Sequence, residues 1–263
     1  MTGLRIGLDE GILRLTIDRP ERMNALDGAT ATAFSEALTK DALDPQVRVV
    51  VIGGTGGAFS TGADVVDIAA APPPANQAEA DARAQQTMDG ANRLVRAIIE
   101  LPVPVVAAVN GPAAGLGVSI ALACDLVYAA EDAYFLLAFT NVGLMPDGGS
   151  SLLVPAAVGR ARANAMALLA EPMSAAEAFA AGLINEVLPA GALGERVDKV
   201  ARRLARGPRR ALELTKRALT ASTLSLLDEA LEREAVGQRE LLNAPDFAEG
   251  IAAVLARRRP KFS

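Results

Sequence analysis

The chain has 263 residues, enough for one large domain or a core with a small appendage, and its 51% hydrophobic and 22% charged residues are those of a folded globular protein. Aromatics supply only 3%, so the core must be aliphatic, and a net charge of -5 excludes a general attraction to nucleic acid or anionic membranes. There is no histidine, which excludes Ser-His-Asp and Cys-His triads and histidine-ligated metal sites, and the single cysteine, Cys124, excludes an intrachain disulfide.

Catalysis in such a chain must use carboxylates, backbone groups, lysine or tyrosine. Cys124 sits among Ala and Leu and reads as a small core residue, which fits a reducing compartment. The first thirty residues mix charge and aliphatics too evenly for a signal peptide, and Pro, Asn, Gly or Asp interrupts each long apolar run. The expectation is a cytoplasmic protein with no membrane segment.

Residues 11–18 alternate as a strand, and a helix is predicted over 27–43. Residues 49–52 form a β-branched run ending in Gly53-Gly54, the pattern of a strand buried on both faces. A Gly-rich loop follows, with its chemical part at 58–64 (Ala58-Phe59-Ser60-Thr61-Gly62-Ala63-Asp64). Residues 69–78, with Pro72-Pro73-Pro74, predict an irregular surface segment. Met88, Leu94, Val95, Ile98 and Ile99 then share a helical face, and Pro102 and Pro104 stop that helix before a strand over 105–109.

A second Gly-rich segment, 110–119, opens a small-residue helix over 116–123, followed by strands at 126–129 and 134–137. Strand, loop, helix and strand repeat, so an α/β fold with parallel strands is predicted. Beyond Ser150 the pattern is almost all helical, with helices over 159–169, 174–181, 194–206, 208–221 and 224–243. Basic clusters at 202–210 and 257–261 read as solvated helix faces.

Two strand-to-helix loops about fifty residues apart can each donate one amide to a single carbonyl oxygen, which is how an oxyanion hole is assembled. Amides at a helix N-terminus also favour developing negative charge. A P-loop is excluded because no Gly-Lys-Ser/Thr follows the first loop, and Ile120 occupies the third glycine position of a dinucleotide fingerprint in the second. Taken alone, each loop is also compatible with an ordinary tight turn.

Several motifs extend the pattern: Arg19-Pro20 with Asn24-Ala25-Leu26, Phe59-Ser60-Thr61-Gly62-Ala63-Asp64-Val65, residues 104–117, Cys124-Asp125, Gly143-Leu144-Met145-Pro146-Asp147-Gly148-Gly149, Ala180-Ala181-Gly182-Leu183-Ile184 and Arg259-Pro260-Lys261-Phe262. In these residues, and over nearly its whole length, the chain resembles the crotonase, or enoyl-CoA hydratase/isomerase, superfamily. The resemblance implies a spiral of ββα units over residues 1–195, a helical oligomerisation region over 196–263, and homotrimers or dimers of trimers. It also implies a coenzyme A thioester as substrate, with no metal or redox cofactor.

By the same resemblance the oxyanion amides fall on Ala63 and Leu116, the latter standing where glycine is common. The two glutamates of hydratases would fall on Ser119 and Phe139, which cannot orient or deprotonate water. Asp147 remains. Pro146-Asp147-Gly148-Gly149 is an excellent turn sequence, and the resemblance adds that isomerases of the superfamily often carry their catalytic Asp in or near it. The favoured expectation is an enoyl-CoA isomerase working by a 1,3-proton shift through Asp147. The alternatives are a weak or specialised hydratase and a non-catalytic acyl-CoA-binding protein.

Apolar neighbours Phe139, Val142 and Leu144 should raise the pKa of Asp147. Candidate substrate contacts are Arg22, Thr61, Val65, Ser119, Phe139 and Lys261, the last sometimes reaching across subunits in the family. Asp64 is expected to cap a helix, and Asp125 to serve a helix-strand junction.

Overall fold

In chain order the elements are β1 (Leu4–Asp9), β2 (Ile12–Ile17), α1 (Gly28–Thr39), β3 (Val49–Gly54), α2 (Val65–Ala70), α3 (Gln77–Glu100), β4 (Val105–Val109), β5 (Ala113–Ala114), α4 (Leu116–Ala123), β6 (Leu126–Ala130) and β7 (Tyr134–Leu136). Then come α5 (Ser150–Leu169), β8 (Met173–Ser174), α6 (Ala175–Ala181), β9 (Glu186–Leu188), α7 (Ala190–Ala205), α8 (Arg209–Thr223), α9 (Leu227–Leu242) and α10 (Pro245–Leu255). They come from a computed structural model that describes residues 2–263.

One sheet has the order β1-β2-β3-β4-β6-β9, parallel except for the β1/β2 hairpin, and a smaller one has the order β5-β7-β8. Single bridges from Leu26 to Ala63 and from Ser60 to Ala113 extend the small sheet sideways. Successive turns of chain therefore give one segment to the large sheet (β2, β3, β4, β6) and the next to the small one (Leu26, residues 60–63, β5, β7). This is the expected ββα spiral.

The run 49–52 is buried because both sheet faces are covered. Val50 and Ile52 point into the main core with Phe34, Leu94 and Ile98, while Val49 and Val51 meet Leu193, Val197 and Ala201 of α7. Burying an aliphatic side chain on each face contributes about 1.5–3 kcal/mol per residue before entropy is counted. Phe59, Phe135 and Phe34 are the largest fully enclosed side chains.

Several boundaries differ from the sequence reading. The helix predicted over 27–43 ends at Thr39 and continues as a 3-10 turn at Asp41–Leu43, with Asp27 accepting from the Thr30 amide at 2.7 Å as N-cap. β1 was not anticipated: it is an edge strand whose Ile6 and Leu8 stay exposed, and β8, β9 and α10 are short or amphipathic elements that periodicity also passed over. Helix α5 begins at Ser150, not 159, as two pieces joined at Gly159, where φ 75 and ψ 166 break the helix. A division at 195/196 cuts α7, which runs unbroken from Ala190 because it packs against β3, β4 and β6 as one unit.

Ser150–Leu169 has the length and apolar composition to cross a membrane, but it carries Pro155 and the Gly159 break and buries Leu153, Val154, Ala163 and Met166 inside the protein. Of the segment 69–78 expected to be irregular, residues 71–76 run exposed and irregular, while its two ends belong to α2 and α3.

Candidate active site

The first loop leaves β3 and is pinned by Asn24, a fully buried residue with left-handed backbone (φ 55). Its side-chain nitrogen donates to the carbonyls of Thr55 (2.8 Å) and Ala58 (2.7 Å), and its side-chain oxygen accepts from the Arg19 amide (2.9 Å). The Ser60 hydroxyl donates to the Asn24 carbonyl at 2.8 Å. Each of these groups would cost about 1–3 kcal/mol if left buried and unpaired, so the loop is held in one conformation.

Gly62 brings this loop against the second. Its φ of 83 is closed to most side chains, and a Cβ there would lie 2.9 Å from the Leu116 nitrogen. A Cβ on Gly117 would collide with the Ser60 carbonyl. The chain therefore needs glycine at both contacts to bring Ala63 and Leu116 together. Neither the Ala63 nor the Leu116 amide donates a hydrogen bond among the described residues, and Leu116 is the first residue of α4. Two free, adjacent amides, one at a helix N-terminus, can stabilise an anionic oxygen.

Helix caps hold the flanks of this arrangement. Asp64 is buried, accepts from the amides of Val66 and Asp67, and pairs with Arg19 at 2.9 Å, so its role is the structural one expected. Asp125 accepts from the Val105 amide (2.7 Å) and pairs with buried Lys216 (2.9 Å), tying α8 to the junction of β4 and β6. Burial pushes the Asp125 carboxyl up, and Lys216 pulls against that. Burial likewise pushes up the Cys124 thiol, which is a core residue as expected.

The Asp147 turn packs directly on the second loop. A Cβ on Gly148 (φ 60) would lie 2.6 Å from Leu116 Cδ1 and 3.1 Å from Ser119, so only glycine permits the approach. Three groups donate to the Asp147 carbonyl: Ser119 Oγ (2.8 Å), Ser150 Oγ (2.8 Å) and the Ser150 amide (3.2 Å). In the side chain, Oδ2 accepts from Gln238 Nε2 at 2.7 Å, while Oδ1 is buried with no partner. Burial pushes the carboxyl up to about 7, the Gln238 bond restrains the rise, and the nearby charge of Glu234 adds to it. A carboxyl with one free oxygen and a pKa near neutrality can both accept and return a proton.

The sequence model of the enoyl-CoA hydratase/isomerase family matches residues 7–263. The chain belongs to this family. A probable enoyl-CoA hydratase of Rhodobacter capsulatus is 41% identical over 99% of this chain and 97% of its own. The 1,2-epoxyphenylacetyl-CoA isomerase of Escherichia coli is 36% identical over 97% and 96%. The crystal structure of an enoyl-CoA hydratase from Mycobacterium avium subsp. paratuberculosis superposes with a TM-score of 0.90 at 50% identity, covering 100% of this chain and 99% of the other. The protein is thus an acyl-CoA enzyme of the enoyl-CoA hydratase/isomerase family with the crotonase fold.

Among the sequence-predicted positions, Ala63, Leu116, Ser119, Phe139 and Asp147 converge in this family member. The Phe139 ring reaches within 4.0 Å of a Cβ built on Gly115. Ser119 is fully buried and spends its hydroxyl on the Asp147 carbonyl. Thr61 joins the Arg22 turn, its amide and hydroxyl both donating to the Met23 carbonyl at 3.2 and 3.3 Å, with Arg22 exposed and Val65 half-buried nearby in sequence. Lys261 is exposed beyond α10; its amide donates to Glu249 at 2.7 Å and its ammonium group has no hydrogen-bond or ion-pair partner among the described residues. An open hollow lined by Ile6, Leu8, Leu13 and Leu43 shares no residue with this cluster.

Asn24 entered the sequence reading only as part of a motif, and α9 not at all as part of the site. The signal in α9 was present: Leu227, Leu231, Glu234 and Gln238 follow one buried helical stripe that turns from apolar to polar.

Proposed function

We propose that this protein is an enoyl-CoA isomerase that moves a double bond by a 1,3-proton transfer. The thioester carbonyl of an enoyl-CoA sits against the Ala63 and Leu116 amides. Asp147 removes a proton from the carbon next to that carbonyl; the charge spreads through a dienolate onto the thioester oxygen, where the two amides stabilise it, and Asp147 returns the proton two carbons further on. One carboxyl group closes the cycle, so no metal or redox cofactor is required. The observation that carries this reading is Asp147 itself, in the turn packed on the second loop, with Oδ1 buried without a partner and a pKa near 7.

Arg22 and the 61–65 segment form the rim to which we assign the coenzyme A moiety, with Lys261 reaching its phosphates from a neighbouring subunit of a homotrimer or dimer of trimers. Exposed Leu168, Leu169 and Phe179 (71%, 62% and 52% exposed) support such an assembly.

A hydratase of weak or specialised activity is the second reading, and the Rhodobacter capsulatus relative favours it. Water addition needs a second acid/base beside Asp147. Ser119 and Phe139 offer none, and both oxygens of Glu234, the other buried carboxylate nearby, are taken by the amides of Gly149 (2.6 Å) and Ser151 (2.8 Å). The test incubates the purified protein with 3-enoyl-, 2-enoyl- and ring-epoxide CoA thioesters. Isomerisation gives a conjugated thioester, or a rearranged ring, of unchanged mass; gain of one water would select the hydratase, and tight coenzyme A binding without turnover the non-catalytic binder.

A further inference from the structure

We propose that Gln238 and Glu234, on successive turns of α9, are positioning residues for Asp147: Gln238 holds Oδ2 so that Oδ1 alone exchanges the proton, and Glu234 locks the turn beneath it. The proposal rests on Asp147 being the acid/base of the isomerase.

Both ends of the buried Gln238 amide are committed to this turn, Nε2 to Asp147 Oδ2 at 2.7 Å and Oε1 to the Met145 amide at 3.2 Å. Glu234, also fully buried, accepts from the amides of Gly149 and Ser151 on the far side of Asp147. The pair therefore brackets residues 145–151. Gly237 lies between them on α9, and a Cβ there would strike the Met145 sulfur, so the helix backbone seats directly on the turn. From its other side α9 is tied to α3 by Arg239 to Gln85 (2.6 Å) and Asn243 to Asp81 (2.9 Å), which keeps the holder rigid.

Stability alone does not call for this chemistry. Leu227 and Leu231 precede Glu234 and Gln238 on the same buried stripe, and apolar residues of similar volume would pack there without the cost of desolvating a carboxylate and an amide. What the polar pair adds is a fixed carboxyl rotamer and a defined proton affinity. Gln238 donates to the ionised form and favours it, whereas the Glu234 charge disfavours it. On the Asp147 carbonyl, α4 contributes the hydroxyl of Ser119, and α5 the hydroxyl and the amide of Ser150. Glu234 is the titratable neighbour that acts on Asp147; burial pushes its own carboxyl up, while the bonds from Ser151 and Gly149 and the charge of Arg233 pull against that.

The experiment compares the full-length wild type with Gln238→Leu and Glu234→Gln, reading the pH dependence of kcat and KM on a 3-enoyl-CoA together with the Asp147 carboxyl band by infrared difference against Asp147→Asn. Gln238→Leu should lower kcat roughly 10- to 100-fold with KM within about twofold, and move the Asp147 titration to higher pH. Glu234→Gln should move that titration to lower pH. Asp147 titrating as in the wild type in both variants, or a loss in KM with kcat intact, would overturn the proposal. Should Gln238→Leu fail to fold by circular dichroism, the titration in Glu234→Gln decides alone. Because the infrared band is read without turnover, an active Asp147→Asn would sink the isomerase reading while leaving the positioning geometry to be judged separately.

Discussion

The paired loops present main-chain amides and are held by glycine clearances at Gly62 and Gly117 and by the buried side chains of Asn24 and Ser60. The turn at residues 145–151 presents a side chain and is held by other side chains, Glu234 and Gln238, from a helix 83 to 93 residues further along the chain. A backbone device of this kind leaves its mark in local sequence, since only glycine fits. A carboxylate's proton affinity leaves a fainter one: apolar neighbours in sequence give the upward direction at Asp147, and the distant side chains packed beside it set how far it goes. Stabilisation of the anion and choice of reaction are thus separable in this protein, and substitutions should divide accordingly.

The sharpest break comes at Asp147. Asp147→Asn is expected to lower isomerase kcat by ~10²–10⁴-fold while leaving the loops intact. In the wild type kcat should rise with pH and level off above about 7, as the carboxyl ionises. The same substitution should stabilise the fold at pH 8. The folded pKa of about 7 lies above the ordinary 3.8, so the stability that protonated Asp147 contributes is full below 3.8 and is lost as pH rises through 7. Asn never ionises, and thermal melts at pH 8 should show a Tm higher by at least about 2–4 °C. Activity and stability should move in opposite directions at this residue.

Next comes the scaffold. Gly117→Val drives a side chain into the Ser60 carbonyl and displaces the Leu116 amide, so kcat should fall by ~10²–10³ with the pH profile unmoved. An altered profile would mean that the two halves are coupled. Asn24→Ala orphans the Thr55 and Ala58 carbonyls and the Arg19 amide, and denaturant unfolding should show a loss of about 1–3 kcal/mol or more. The smallest effect is expected for Ser119→Ala. Two other donors remain on the Asp147 carbonyl, so the cost should be about 1 kcal/mol with kcat changed only a few-fold.

Most of the fold was legible because its signals are local. The β-branched run 49–52, the aliphatic face of α3, the proline stop before β4 and both Gly-rich loops all lie where their residues put them. β1 and α10 were missed for the complementary reason: an edge strand with exposed Ile6 and Leu8 lacks a buried face to announce it, and α10 is a short helix opening on Pro245. The sequence makes Ser119 a candidate substrate contact, whereas its hydroxyl is spent on the backbone of the neighbouring turn, a contact visible only in three dimensions.

By itself, the sequence determined that this is an aliphatic α/β protein whose strand ends open into glycine loops able to present amides, and that histidine, disulfide and P-loop chemistries are excluded. Periodicity, glycine and proline act over a few residues, so they can be read along the chain. Tertiary structure alone decided that the Asp147 turn packs against Leu116 and Ser119, that Gln238 holds one carboxyl oxygen and leaves the other without a partner, and how far burial, with the charge of Glu234 adding to it, lifts the pKa, to about 7. Desolvation and charge proximity depend on which distant side chains the fold packs together, and no local pattern specifies that.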